Sequence, residues 1–370
     1  MKRTIKMKRL LSLLLALVIA AALCGCITIE IRTPSSPQGG SESAASSGTA
    51  ADSSADIAES SADIAESSAE PDESSEDQPV EGIAPLLWKA SDGKGHCIYL
   101  FGTIHIGDER TLSAIKRVQR YIDECEAVAV EFDVLAYQQD TEAMMRDMEL
   151  FFYTDGTTIH DHLPADIINE AKEFMINAGM GYSPAYEQMT AAMWWQLVDE
   201  VMLYTSESGL TSDYGVDMNI LERCHKEGKK VLELESAQSQ YEMLCSFEDR
   251  FYAELIRESI DSAPYYDESV TGMYEAWLSG DEEDILYYAF GDEAELEEYA
   301  EYEEWLEDAI EFYNFKMLTE RNNNMFEKAR GWLDGGKKVF VTAGEAHMLG
   351  DGGLVQMFED AGYTVEKIGY

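Results

Sequence analysis

The chain has 370 residues, in which 72 acidic side chains outnumber 27 basic ones for a formal net charge of −45. Such an excess repels phosphate backbones, so nucleic acid is excluded as an expected partner. Past Cys26 the cysteines are Cys97, Cys125, Cys224 and Cys245 with no Cys-x-x-Cys pair, a spacing that disfavours structural zinc and assigns no disulfide.

Lys2, Arg3, Lys6, Lys8 and Arg9 precede an apolar run from Leu10 to Leu23 that only Ser12 interrupts. The run is too short for an ordinary membrane span and has the layout of a secretory signal over residues 1–26. Its end, Leu23-Cys24-Gly25-Cys26, resembles the bacterial lipobox. The resemblance implies a diacylated Cys26 and a chain held on the extracytoplasmic face of a bacterial membrane, since two acyl chains suffice for stable attachment. Residues 27–80 are rich in Ser, Ala, Glu and Asp and carry a tandem repeat, Ser54 to Ser60 and Ser61 to Ser67. One isoleucine per seven residues gives no paired apolar seam, so the expectation is a disordered acidic tether, not a coiled coil. A flexible coil of roughly 50 residues has an end-to-end distance on the order of 40 Å.

Residues 81–370 are enough for one large domain. Leu86 to Ala90 and Cys97 to Phe101 flank a turn at Ser91 to Gly95 and predict a hairpin. A helix is expected from Thr111 or Ser113 to about Cys125, because Leu112, Ile115, Val118, Tyr121 and Ile122 recur on one face. Ala127 to Glu131 follows as a strand. The pattern from Leu135 to about Glu227 is helical, including Met144 to Phe152, Ala185 to Tyr204 and Val216 to Lys226. Lys229 to Glu235 returns to a strand, and a second helical stretch runs to about Leu333. Lys338 to Ala343 is a strand, Gly353 to Ala361 a helix, and Tyr363 to Ile368 the closing strand. This is an α/β fold with a central, mostly parallel sheet and a large helical insertion at about 135–335, interrupted by the strand near 230–235.

Two segments share a local frame. Leu100 to Gly107 and Val341 to Gly350 each run from an apolar strand into Gly-x-x-His and on to a further glycine, and the chain has only six histidines. Four polar groups, His105, Glu131, Glu235 and His347, stand at the downstream ends of four apolar strands. Parallel neighbouring strands would bring these ends to one crevice, where open α/β sheets place ligands. Two imidazoles with one or two carboxylates suit a divalent Zn, Mn, Fe or Co ion, whose bound water becomes a nucleophile. The expected metal ligands are therefore His105, His347 and Glu131. Glu235 reads equally as a first-turn group of the helix from Ser236, and Glu345, two residues before His347, reads as a general acid or base or as a solvated side chain. Asp217 reads more readily as an acid at a helix start than as a catalyst, with a site role as the alternative. His160, His162, His96 and His225 show no ligand pattern. The acidic stretch from Asp281 to Glu311 interleaves aromatics at helical spacing and reads as amphipathic helix.

In order, Gly102-Thr103-Ile104-His105, Val130-Glu131-Phe132, Gly215-Val216-Asp217, Leu234-Glu235-Ser236-Ala237-Gln238, Arg321-Asn322-Asn323-Asn324-Met325 and Gly344-Glu345-Ala346-His347 resemble the TraB/PrgY/GumN family, which includes the Tiki proteases. The resemblance spans about Leu87 to Ile368. It implies a core of two related halves with a helical insertion, a site formed by the paired Gly-x-x-His motifs with a glutamate, and, in the Tiki branch, metal-dependent proteolysis at a membrane surface. It also suggests that Arg321 and Asn322 steady an oxyanion or substrate carbonyl, against the plainer reading of a salt bridge or cap. No Gly-x-Ser-x-Gly elbow is present. The functional expectation is a lipid-anchored, metal-dependent hydrolase acting on a peptide or protein, with Glu345 or Glu235 handling protons. The alternative is a non-catalytic lipoprotein that binds a secreted peptide.

Overall fold

The computed structural model describes residues 82–291 and 303–369. The expected signal segment, Cys26, the tether at 27–80 and residues 292–302 of the acidic stretch lie outside them. Six strands form one sheet: β1 (Leu87–Ser91), β2 (Cys97–Thr103), β3 (Ala127–Val130), β4 (Lys230–Glu233), β5 (Val339–Gly344) and β6 (Thr364–Lys367). Their order is β4-β3-β5-β2-β1-β6. The four strands that carry the candidate residues are parallel neighbours, β2 on β5, β5 on β3 and β3 on β4, while β1 runs antiparallel to both β2 and β6. The hairpin and the mostly parallel sheet therefore match the sequence reading.

Residue type explains which strands are central. Every residue of β3 and β5 is buried, as expected of apolar parallel strands covered on both faces. The outer strands β4 and β6 are largely exposed. Side chains alternate between two cores: Tyr99, Phe101 and Phe340 enter one, and Ile98, Leu100, Val339, Val341 and Ala343 enter the other. The first core is completed by the Arg110–Asp123 and Val216–Glu227 helices, the second by the Glu320–Asp334 and Leu354–Asp360 helices.

The insertion is helical as expected, with local differences. Pro184–Gln188 forms a short 3₁₀ turn and the main helix begins only at Ala191, capped by Thr190, whose Oγ1 accepts from the Met193 amide at 3.4 Å. That helix, Ala191–Thr205, is apolar nearly all round and is buried accordingly, with Trp194 and Trp195 wholly enclosed. Likewise Met144 to Phe152 divides into the Thr141–Met148 helix and a 3₁₀ turn, Glu149–Phe151. The four described cysteines are all free thiols.

Candidate functional site

The carboxyl ends of the four parallel strands carry the candidate residues. Glu131 directly follows β3, His105 lies two residues beyond β2, Glu235 two beyond β4, and His347 closes the 3₁₀ turn Glu345–His347 that follows β5. The β3–β4 pairing continues past the strands, because the Leu234 and Glu235 amides donate to the Val130 and Glu131 carbonyls at 2.8 and 2.7 Å. Both glutamates are thereby fixed side by side.

One guanidinium holds that pair. Arg321 Nη2 donates to Glu131 Oε2 at 2.7 Å and to Glu235 Oε2 at 2.9 Å, and Arg321 Nε reaches both Glu235 oxygens at 2.9 and 3.0 Å. Gln240, on the helix that Ser236 caps, donates to Glu131 Oε2 at 3.0 Å and Glu235 Oε2 at 2.9 Å. The Gly344 amide donates to Glu131 Oε1 at 2.8 Å. Burial alone would raise the Glu131 carboxyl. The Arg321 charge, with the Gly344 N–H, outweighs it and holds the group well below the usual carboxylate range. The same two glutamates hold the Arg321 guanidinium in its charged form against its own burial.

Each histidine is oriented by a second residue. His105 Nδ1 lies 2.7 Å from Asp217 Oδ2. His347 Nδ1 lies 2.6 Å from Asn322 Oδ1, and Asn322 Nδ2 donates to the Gly352 carbonyl at 2.8 Å. A carboxylate only accepts, and Asn322 presents its oxygen because its amide nitrogen faces a carbonyl, so in both rings Nδ1 carries a proton, and a ring in its neutral form keeps the lone pair on Nε2. Burial lowers His347 to about 3, with Arg321 adding to the effect, which leaves this imidazole neutral at ordinary pH.

Local backbone geometry makes these contacts possible. Thr211 and Gly107 exchange two backbone hydrogen bonds, 3.0 and 2.9 Å, and the Val216 amide donates to the Ile104 carbonyl at 2.8 Å. Gly215 packs on the His105 carbonyl so closely that a Cβ there would overlap it, so only glycine lets this helix start approach and deliver Asp217. On the opposite side, a Cβ on Gly102 would overlap the Glu345 carboxyl.

Glu345 is thus set apart from the other acids. It is buried, neither carboxyl oxygen has a hydrogen-bond partner, and burial lifts it to about 8, with Glu282 adding and Lys367 opposing. Of the acids expected to act, Glu131 lines the cavity beside His105, whereas Glu235 and Glu345 do not. Arg321 hydrogen-bonds Glu131 and Glu235, and Asn322 hydrogen-bonds His347. Sequence reasoning missed Gln240 and favoured a helix-start role for Asp217 over a site role; no spacing rule links either to its partner.

The cavity, of about 430 Å³, is lined by Thr103, His105, Glu131 and Asp217 together with apolar groups from the insertion. Among the described residues, no group of three or more His, Cys, Asp or Glu side chains is arranged as a ready metal shell. The other histidines have local structural roles: His96 pairs with Asp92, His225 with Asp133, and His162 stacks on Tyr153 at 4.0 Å while bonding Asp249.

A family model described as TraB/PrgY/gumN matches residues 86–367. No curated protein and no solved structure matches the chain. Among the described residues, no helix is long and apolar enough to cross a membrane.

Proposed function

The chain belongs to the TraB/PrgY/gumN family, and from that premise we propose that it is a metal-dependent hydrolase, a peptidase anchored through Cys26 on the extracytoplasmic face of the membrane. The observation that carries the reading is the matched orientation of the two histidines, each with Nδ1 engaged by an oxygen acceptor at 2.7 and 2.6 Å. This is the outer-shell arrangement that aims Nε2 at a metal.

Charge points the same way. Around the two rings, the carboxylates of Asp217, Glu131 and Glu235 outnumber the Arg321 guanidinium three to one. A buried excess of negative charge is costly unless a cation offsets it. His105 and His347 through Nε2, with Glu131, would hold a divalent ion of Mn, Co, Zn or Fe. When bound, such an ion polarises a carbonyl and lowers the pKa of a water.

The chain's own residues do the rest. Asp217 and Asn322 fix the ring tautomers. Arg321, Gln240 and the Gly344 amide hold Glu131 ionised and in one orientation, so no reorganisation is needed at reaction. His105 sits on the cavity wall with Asp217 behind it, which fixes the ring and leaves Nε2 for the ion. The enclosed apolar wall excludes water from the remainder of the substrate.

The test is metal analysis of the purified full chain after reconstitution with each ion, beside His105→Ala and His347→Ala, with turnover of a peptide library followed by mass spectrometry. Near-stoichiometric metal, lost in both variants together with turnover, is expected. Peptide affinity that survives chelation without any turnover would replace this reading with that of a peptide-binding lipoprotein.

A further inference from the structure

The cavity beside His105 has a chemical asymmetry that hydrolysis itself does not require. One wall is apolar, made by Phe132 and Val134 after β3, Leu203 of the insertion, and Met218 and Leu221 of the Val216–Glu227 helix. Beside His105 and the neutral Thr103, Gln138, Ser212 and Thr342, the polar lining is acidic. Asp213 and Glu222 are exposed at the mouth, and no lysine or arginine is among the described lining residues. Asp217 gives Oδ2 to His105 and keeps Oδ1 buried without a hydrogen-bond partner. A buried carboxylate oxygen lacking a donor is costly, so its presence at a cavity wall marks where a donor belongs.

Arg223, next to Glu222 in sequence, is committed elsewhere, facing Glu227 and Asp123. The acids at the mouth therefore set the local potential. An anionic group entering here meets like charge on a low-dielectric wall, whereas an ammonium gains both attraction and hydrogen-bond acceptors. A volume of about 430 Å³ accommodates a leucine- or phenylalanine-sized side chain with backbone attached.

We propose that this cavity selects peptides in which an apolar side chain is flanked by a protonated amine, and rejects peptides with an acid at that position. The proposal rests on the hydrolytic reading of the same site and names its substrate class. A free peptide amino terminus and a lysine beside an apolar residue both supply this chemistry.

Five fluorescent peptides test it against the full chain: leucine at a free amino terminus, the same peptide acetylated, acetylated with an adjacent lysine, acetylated with an adjacent glutamate, and the free-amine peptide with serine for leucine. Binding is read by anisotropy with and without chelator, and cleavage separately by mass spectrometry. Cationic apolar peptides are expected to bind about tenfold or more tighter than the neutral, acidic and serine forms, the size of one well-placed charge or apolar contact. If both the free-amine and lysine peptides bind, the shared charge is read; if only one binds, that source is identified. The double variant Asp213→Lys, Glu222→Lys is expected to reverse the charge order while unfolding at the parent temperature, and Met218→Asp to erase the leucine preference. Indifference to charge, preference for glutamate, or no binding of any probe under either condition overturns the proposal. The expected order of affinities without cleavage leaves the cavity's selectivity standing and removes the hydrolase. Cleavage without that order does the reverse.

Discussion

Asp217 and His105 are 112 positions apart in sequence and meet at 2.7 Å, carboxylate oxygen to ring nitrogen. Gly107, Thr211 and Gly215 clamp the two backbones so that this contact is fixed before any ligand arrives. Asp217→Asn keeps the shape but offers an amide that can donate, so the ring is no longer confined to the tautomer with its lone pair on Nε2. Losses in metal affinity and hydrolysis on the order of 10- to 100-fold are expected, the usual effect of removing such a partner. Unfolding temperature should change little. Calorimetric metal titration of the variant checks this, and parent-like affinity would show that the contact is only a helix-start bond.

Arg321 neutralises two buried glutamates at once, and its removal strands both. Arg321→Met should destabilise the fold by roughly 3–5 kcal/mol, the cost of leaving buried charge unpaired. Adding Glu131→Gln and Glu235→Gln to Arg321→Met should recover much of that loss, because three apolar or neutral groups avoid the desolvation that one unpaired charge incurs. Urea denaturation of the single and triple variants decides it. An Arg321→Met chain as stable as the parent would mean that water, not the guanidinium, solvates the pair.

Gly102 and Glu345 form a second close approach. Gly102→Ala places a methyl inside the Glu345 carboxyl, and overpacking of this kind costs about 1–3 kcal/mol. Because the obstructing atoms belong to one side chain, Glu345→Ala should restore stability in the double variant and, on its own, cost little, since it removes a buried carboxyl with no partner. The double-mutant cycle is expected to show coupling of about the size of the single loss. Additive effects would place the strain of Gly102→Ala in the backbone instead.

The sheet was readable because its central strands are continuous apolar runs that end at glycine or at a charged residue. Ala127 to Glu131 and Lys338 to Ala343 leave no helical alternative at their lengths. Four of the candidate side chains were readable for the same reason, since His105, Glu131, Glu235 and His347 simply follow those runs. The contacts among them were not. Arg321, 190 positions from Glu131, is one of several arginines on acidic helices, and nothing local says that its guanidinium turns inward. Gln240 follows a capping serine and reads as surface, yet reaches two carboxylates. Glu345 shares a turn with His347, but nothing in the sequence says that its carboxyl packs against Gly102, where only the absence of a Cβ leaves room for it.

Asp199 supplies a pH dependence of its own. It lies on the buried Ala191–Thr205 helix, accepts from Ser259 Oγ at 2.6 Å, and burial raises it to about 8 despite that bond. Glu258 is raised to about 8 as well, by burial first and then by Asp261 and Glu254. In the unfolded chain such carboxyls lose their protons near pH 4, whereas the native state keeps them to about 8. Between those limits the native state binds more protons, so stability is fully present below about pH 4 and declines as pH rises through 8. Asp199→Asn keeps an acceptor for Ser259 without a titrating proton, so it should remove a share on the order of a few kcal/mol from the loss between pH 5 and pH 8. The remaining slope belongs to groups such as Glu258, and adding Glu258→Gln should flatten it further. Urea unfolding at several pH values checks the sign directly: parent and Asp199→Asn curves that run parallel across this window would mean that Asp199 is already ionised in the folded protein, with water or a cation reaching it between the helices.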